Sequence, residues 1–256
     1  MAEQISDNER AARPVIQCRQ LTKRFGEFVA VNAISFEVAA GEIFGFLGAN
    51  GAGKTTAMRM LCGLLGPTDG AATVAGFDVF QQPERIKQHI GYMSQKFSLY
   101  EDLTVRENIR FYGGVYGLKT PVIRQKTDIL LRRLGLEAER DTLVGSLPLG
   151  WKQKLAFSVA LLHEPAVVFL DEPTGGVDPI TRRQFWDLMY EAAAQGTTVF
   201  ITTHYMDEAE YCDRVSIMVD GKIEALDTPA RLKQQFGAGS MDEVFLHLAR
   251  GAKNVE

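Results

Sequence analysis

The stretch Glu42-Ile43-Phe44-Gly45-Phe46-Leu47-Gly48-Ala49-Asn50-Gly51-Ala52-Gly53-Lys54-Thr55-Thr56 decides the fold. Ile43 to Leu47 is a nearly continuous apolar run, as expected of a strand buried on both faces of a parallel sheet. It runs straight into Gly48 to Thr55, which matches the phosphate-loop pattern GxxxxGK(S/T), and Lys54 to Cys62 then reads as a helix. Glycines let consecutive backbone N–H groups turn inward around a phosphate, and the helix N-terminus adds positive potential. Lys54 would neutralise the β- and γ-phosphates and the Thr55 hydroxyl would ligate Mg²⁺, with Thr56 beside it.

The partner of this loop is Val167-Val168-Phe169-Leu170-Asp171-Glu172, an apolar strand ending in two acids. Such a strand delivers both carboxylates to the C-terminal edge of the sheet, where open α/β folds bind ligands. Asp171 would hold Mg²⁺ through water, and Glu172 would orient or deprotonate an attacking water.

Outward from these two strands the chain reads as strand-like from Val15 to Leu47, with short strands at Ala72 to Val74 and Ile90 to Met93. Thr104 to Tyr116, Pro121 to Leu134 and Gly150 to Leu162 favour helix. Lys119, Arg124, Lys126, Arg132 and Arg133 make part of that stretch basic, a solvated helix face in the first reading and an anion site in the second. Ala166 to Leu170 and Thr197 to Thr202 are buried strands around a helix at Ile180 to Ala194. Asp220-Gly221 marks a hairpin between Arg214 to Val219 and Lys222 to Leu226, and Pro229 to Phe236 and Met241 to Leu248 close as short helices. The organisation is an α/β core interrupted by a helical subdomain. Residues 1–14 are expected to be a disordered leader, 15–95 and 163–236 the core, 96–162 the helical subdomain and 237–256 a C-terminal helix and tail.

The chain's 256 residues, 46% of them apolar, suffice for one large domain or one with an embedded subdomain. With 28 basic and 32 acidic residues the net charge is −4, which disfavours a general nucleic-acid binder. The richest apolar stretch, Leu155 to Leu170, is interrupted by His163, Glu164 and Pro165, so no membrane span is read. The polar opening residues carry no hydrophobic signal core. Cys18, Cys62 and Cys212 are odd in number and scattered, which suits a reducing cytosol and offers neither a disulfide framework nor a zinc cluster.

Further motifs follow in order: Tyr92-Met93-Ser94-Gln95, Glu172 to Pro179, and Phe200-Ile201-Thr202-Thr203-His204 with Asp207-Glu208-Ala209. With these the chain resembles the ATP-binding subunits of ABC transporters from Val15 to about Leu248. The resemblance implies an α/β fold, a P-loop NTPase (RecA-like) core with an antiparallel β subdomain and an inserted α-helical subdomain. It implies ATP and Mg²⁺ as cofactors, ATP held by Gly48, Ala49, Asn50, Gly51, Ala52, Gly53, Lys54, Thr55 and Thr56, and Phe25 stacked on adenine. Gln95 would sense Mg²⁺ and γ-phosphate, His204 would contact the γ-phosphate, and Asp178 would communicate across a dimer interface.

The family signature LSGGQ aligns with Leu147-Pro148-Leu149-Gly150-Trp151, followed by Lys152 and Gln153. Gly150 is kept, but Pro148 offers neither hydroxyl nor amide proton to the γ-phosphate bound on an opposite subunit. Ser146 is a candidate substitute, as a cap or a phosphate contact. This form resembles that of bacterial drug-exporter ATPases and puts full hydrolytic competence in question.

The resemblance implies an energy-coupling ATPase for a separate integral-membrane permease, acting as a homodimer or a heterodimer at the cytoplasmic face of the inner membrane and exporting drugs or other small molecules. A soluble ABC-type ATPase of translation or DNA repair is the alternative, but the tandem cassettes, long coiled coil or cysteine clusters of those relatives are not found in this sequence. A GTPase or small-molecule kinase leaves His204 and Gly175 to Asp178 unexplained. Permease contact is expected near Gln95 to Leu103, where Phe97, Leu99 and Tyr100 cluster, with subdomain core as the equal alternative.

Overall fold

The computed structural model describes residues 14–95 and 99–253. Strands β1 (Ile16–Phe25) and β2 (Phe28–Val38) form an antiparallel hairpin closed by the pair Phe25 and Phe28. β3 (Ile43–Leu47) leads through the phosphate loop into α1 (Lys54–Leu61). β4 (Asp69–Val74) and β5 (Phe77–Asp78) join the hairpin in a four-stranded sheet of order β2-β1-β4-β5. α2 (Pro83–His89) and β6 (Ile90–Met93) follow, and then helices α3 (Val105–Val115), α4 (Thr120–Leu134) and α5 (Leu149–Ala160). β7 (Val167–Asp171), α6 (Pro179–Ala194), β8 (Thr198–Thr203), β9 (Arg214–Val219), β10 (Lys222–Asp227), α7 (Pro229–Phe236) and α8 (Met241–Lys253) complete the described chain.

The second sheet has the order β10-β9-β3-β8-β7-β6, parallel except for the β9–β10 hairpin. Every residue of β3, β7 and β8 is buried, which explains why those strands read as apolar runs without alternation. Side chains still alternate between two cores. Phe44 and Phe46 meet Phe36 of the antiparallel sheet and Phe200 of β8, with ring centroids 5.4–5.6 Å apart. Ile43 and Leu47 point the other way, into a core shared with α5 and α6. Each buried Phe contributes roughly 1.5–3 kcal/mol by leaving water. Gly45 is required between them, because a Cβ there would lie 2.9 Å from Cys212 Sγ and from Val215.

Parallel register puts four strand ends on one edge: Leu47 opposite Thr203, Asp171 opposite Thr202, and Met93 opposite Leu170. The loops that carry Lys54, Gln95, Glu172 and His204 all leave from that edge. The helical stretch between β6 and β7 is anchored by a capping box at α3. Thr104 Oγ1 accepts from Glu107 N (3.2 Å) while Glu107 Oε2 accepts from Thr104 N (2.9 Å).

Several local expectations change. β2 runs through an irregularity at Ala33, which takes φ 50° and gives its N–H to Thr22 Oγ1 while strand pairing resumes at Ile34. β5 and α2 lack periodic patterning long enough to be read, and Pro83 starts α2 at its first turn. α8 continues past Leu248 to Lys253, with Met241 and Val244 buried in the main core. Asp220-Gly221 forms the expected hairpin, both residues with positive φ. Residues 1–13 of the leader expected at 1–14 lie outside the described residues.

Candidate functional site

The phosphate loop is shaped by contacts that tolerate only glycine at Gly53. Its φ is 104°, and a Cβ there would lie 2.4 Å from Ala30 O. Gly48 and Ala52 face inward: Ala52 is buried, its N–H bonds Ala49 O, and its carbonyl accepts from Gly221 N of the β9–β10 turn. Lys54, 4% exposed, donates from Nζ to Gly48 O (2.8 Å) and Ala49 O (3.1 Å). Burial lowers its pKa, opposed by the attraction of Glu172 and Asp171. The open side is a cleft of about 290 Å³ lined by Asn50, Gly51, Gly53, Lys54, Thr55, Thr56, Gln95, Glu172, Phe28 and Ala30.

Asp171 is buried; its Oδ1 accepts from Thr55 Oγ1 (3.1 Å) and Thr202 Oγ1 (2.7 Å). A hydroxyl and a carboxylate are hard oxygen donors of the kind Mg²⁺ takes. Among the described residues no group of three or more His, Cys, Asp or Glu could hold a metal. One carboxylate and one hydroxyl suit an ion that also takes oxygens from bound phosphates.

Glu172 is the meeting point of the site. It holds φ 49°, a left-handed conformation that costs a non-glycine residue roughly 1–3 kcal/mol. Two contacts hold its amide, which donates to Thr202 O (3.1 Å) and lies 3.2 Å from Thr202 Oγ1. Its carboxylate accepts from Gln95 Nε2 at 2.9 Å on Oε2, lies 3.2 Å from His204 Nδ1, and sits 3.7 Å from Lys54 Nζ through Oε1. A carboxylate aimed into a phosphate-binding cleft and ringed by a cation, an amide and an imidazole can take a proton from water.

Two residues that sequence reasoning passed over belong here. Thr202 supports both acids, but on a buried strand a threonine reads as an ordinary β-branched residue. Phe28 lines the cleft, whereas Phe25 is not among its walls; Phe25 is half-exposed beside it, under Lys23 Nζ at 5.1 Å.

Leu147, Pro148, Leu149, Gly150, Trp151 and Asp178 assemble elsewhere. Pro148 is the N-cap of α5 and offers it no side-chain hydrogen bond, Leu147 is buried, and Leu149 and Trp151 are exposed. Gly150 packs on Thr181, where a Cβ would lie 2.5 Å from Thr181 Cγ2. Asp178 caps α6, Oδ1 accepting from Ile180 N and Thr181 N and Oδ2 from Thr181 Oγ1; the Thr181 bonds lower its pKa. Leu149 also shares a cavity of about 270 Å³ with Gln95, Gln153 and Glu172. Ser146 does not cap α5, because its hydroxyl donates backwards to Leu143 O at 2.8 Å.

The family described as ABC transporter matches residues 31–175. The chain is 48% identical over 239 residues to the Escherichia coli "Probable multidrug ABC transporter ATP-binding protein YbhF", across 91% of this chain and 41% of that protein. It is 40% identical over 218 residues to the "Nod factor export ATP-binding protein I" of Burkholderia lata, across 85% of this chain and 72% of that one. A solved structure described as the ATP binding subunit of an ABC transporter superposes with a TM-score of 0.82 at 30% identity, covering 91% of this chain and 99% of its own. The chain belongs to the ABC transporter family, in the class of its ATP-binding cassettes. It spans about two fifths of the length of the Escherichia coli relative.

Proposed function

We propose that this chain hydrolyses ATP to drive export of drugs or other small molecules through a separate integral-membrane permease. The observation that carries the proposal is the gathering of Lys54, Gln95 and His204 around Glu172 beside the phosphate loop. Gly48 to Thr56 bind the phosphates, and Phe25 stacks on adenine. Thr55, Asp171 and Gln95 hold Mg²⁺, which when bound neutralises charge building on the phosphates. Glu172 takes the proton of the attacking water, and His204 contacts the γ-phosphate.

Leu147 to Trp151 and Asp178 face the nucleotide of a second ATPase subunit, identical or homologous. The exposure of Leu149 and Trp151 supports that placement. Residues 15–95 and 163–236 act as the core, 96–162 as a helical arm, and 237–256 as a C-terminal helix and tail. No described helix is long and apolar enough to cross a membrane. The chain then works from the cytoplasmic face of the inner membrane as a peripheral subunit. Tyr100 (46% exposed), in edge contact with Phe111 (44% exposed), supports a permease contact there; Leu99 is buried, and Phe97 lies outside the described residues. The relatives named for multidrug transport and Nod factor export support the export direction.

The test is co-purification of a tagged Glu172→Gln chain from its own host, in mild detergent with ATP and Mg²⁺. A stoichiometric multi-span protein is the expected result. Recovery only from the soluble fraction, with ribosomal or DNA-repair partners, would overturn the transport reading.

A further inference from the structure

A second cleft, of about 490 Å³, lies in the helical stretch, away from the phosphate loop. Its walls are α3, α4 and the turn before Asp141, and its cationic lining is entirely arginine: Arg106, Arg110, Arg124 and Arg140. The acids on the same walls are Glu107 and Asp128, so the lining carries a surplus of two positive charges in a chain whose net charge is −4.

Both acids are already engaged. Asp128 pairs with Arg140, and Glu107 is held by the Thr104 capping box. Arg106 pairs with Asp141 at 2.9 Å, and its backbone N–H bonds Arg140 O, which fixes the turn against α3. Arg110 and Arg124 have no ion-pair partner among the described residues, although each lies one helical turn from a charged residue on the same wall. Of the other basic residues of α4, Lys126 pairs with Glu164 and Arg133 with Glu191, while Arg132 is exposed and has no ion pair among the described residues. The basic stretch is therefore part neutralised face and part unneutralised cleft.

We propose that this cleft is a binding site for a phosphoryl group, gripped by Arg110 and Arg124 and bordered by the Arg106 and Arg140 pairs. Guanidinium offers a planar fork of donors that matches phosphate oxygens two at a time, which the compact ammonium of lysine does not. Two like charges held in one cleft repel, and an anion between them removes that repulsion. A soluble phosphate compound and a phospholipid headgroup share this chemistry.

The test compares the wild-type chain with the Arg110→Gln/Arg124→Gln and Arg110→Lys/Arg124→Lys variants by calorimetric titration with inorganic pyrophosphate at fixed salt. Pyrophosphate also enters the phosphate loop, equally in all three proteins, so the difference isolates the cleft. Both arginines are exposed, and unchanged ATP turnover and melting confirm that the variants fold. The glutamine variant is expected to lose one binding site, and the lysine variant to bind there about tenfold more weakly. Identical isotherms for wild type and glutamine variant would overturn the site. Equal binding by the lysine variant would also overturn it, reducing the cleft to diffuse positive charge. Co-sedimentation with 3:1 phosphatidylcholine:phosphatidylglycerol vesicles separates the sources. Vesicle binding lost with the pyrophosphate site supports a headgroup, and vesicle binding unchanged while that site is lost supports a soluble phosphate.

Discussion

Gln95 Nε2 donates to Glu172 Oε2 at 2.9 Å, joining residues 77 apart in the chain. Gln95 leaves β6 at the point where the helical stretch begins, so a movement there pulls directly on the carboxylate that faces the phosphate loop. Gln95→Ala is expected to lower ATP turnover by about tenfold or more while changing ATP affinity little, as for loss of a group that positions a base. A kcat/KM measurement beside an equilibrium ATP titration checks the split. Equal losses in both would place Gln95 in binding alone.

The Thr202 hydroxyl touches both acids, donating to Asp171 Oδ1 and lying against the amide of Glu172. Thr202→Val keeps the shape and removes the hydroxyl. Leaving a buried carboxylate short of a donor costs about 1–3 kcal/mol. Chemical denaturation should show that loss, and turnover should fall with it.

Gly53→Ala is expected to fold but to bind ATP at least about tenfold more weakly. Its φ of 104° strains any side chain, and the new methyl meets Ala30 O, so the loop must open. Unchanged affinity would mean that the loop geometry described is not the binding geometry.

Pro148→Ser with Leu149→Gly restores a hydroxyl, an amide donor and backbone freedom at the start of α5. Steady-state turnover rises if this end of α5 limits hydrolysis on an opposing subunit. The matching control is Ser146→Ala, which should change nothing, because that hydroxyl is committed to Leu143 O.

Glu208 is fully buried and accepts from Thr174, and burial raises its pKa above the ordinary carboxyl value. The folded state therefore holds this proton more tightly than the unfolded state. Stability from the group is complete below the unfolded carboxyl value and declines as pH rises through the raised folded value. Glu208→Gln removes that decline, so its denaturation midpoint should exceed wild type at pH 8 by more than at pH 5. A constant offset between the two pH values would contradict the sign.

Much of this was legible because two strands carry their chemistry in sequence. Ile43 to Leu47 ends in the phosphate loop and Val167 to Leu170 ends in Asp171 and Glu172, so naming the strands places the residues. Gln95 and His204 were implied by the resemblance to ABC ATPases, and parallel register explains why they converge. Thr202 escaped because its hydroxyl matters only through register with Asp171. Phe28 escaped because a hairpin folds it toward the cleft. The arginine cleft draws on two helices and a turn, a juxtaposition without any sequence spacing of its own.

We propose Glu172 as the base toward which the other site residues are arranged. Glu172→Gln keeps the shape and the hydrogen bond with Gln95 while removing the proton acceptor. Single-turnover ATP hydrolysis, measured beside ATP binding, is the direct measurement. Binding retained with hydrolysis reduced by about a hundredfold or more is the predicted result. Hydrolysis at the wild-type rate with ATP bound would contradict the account.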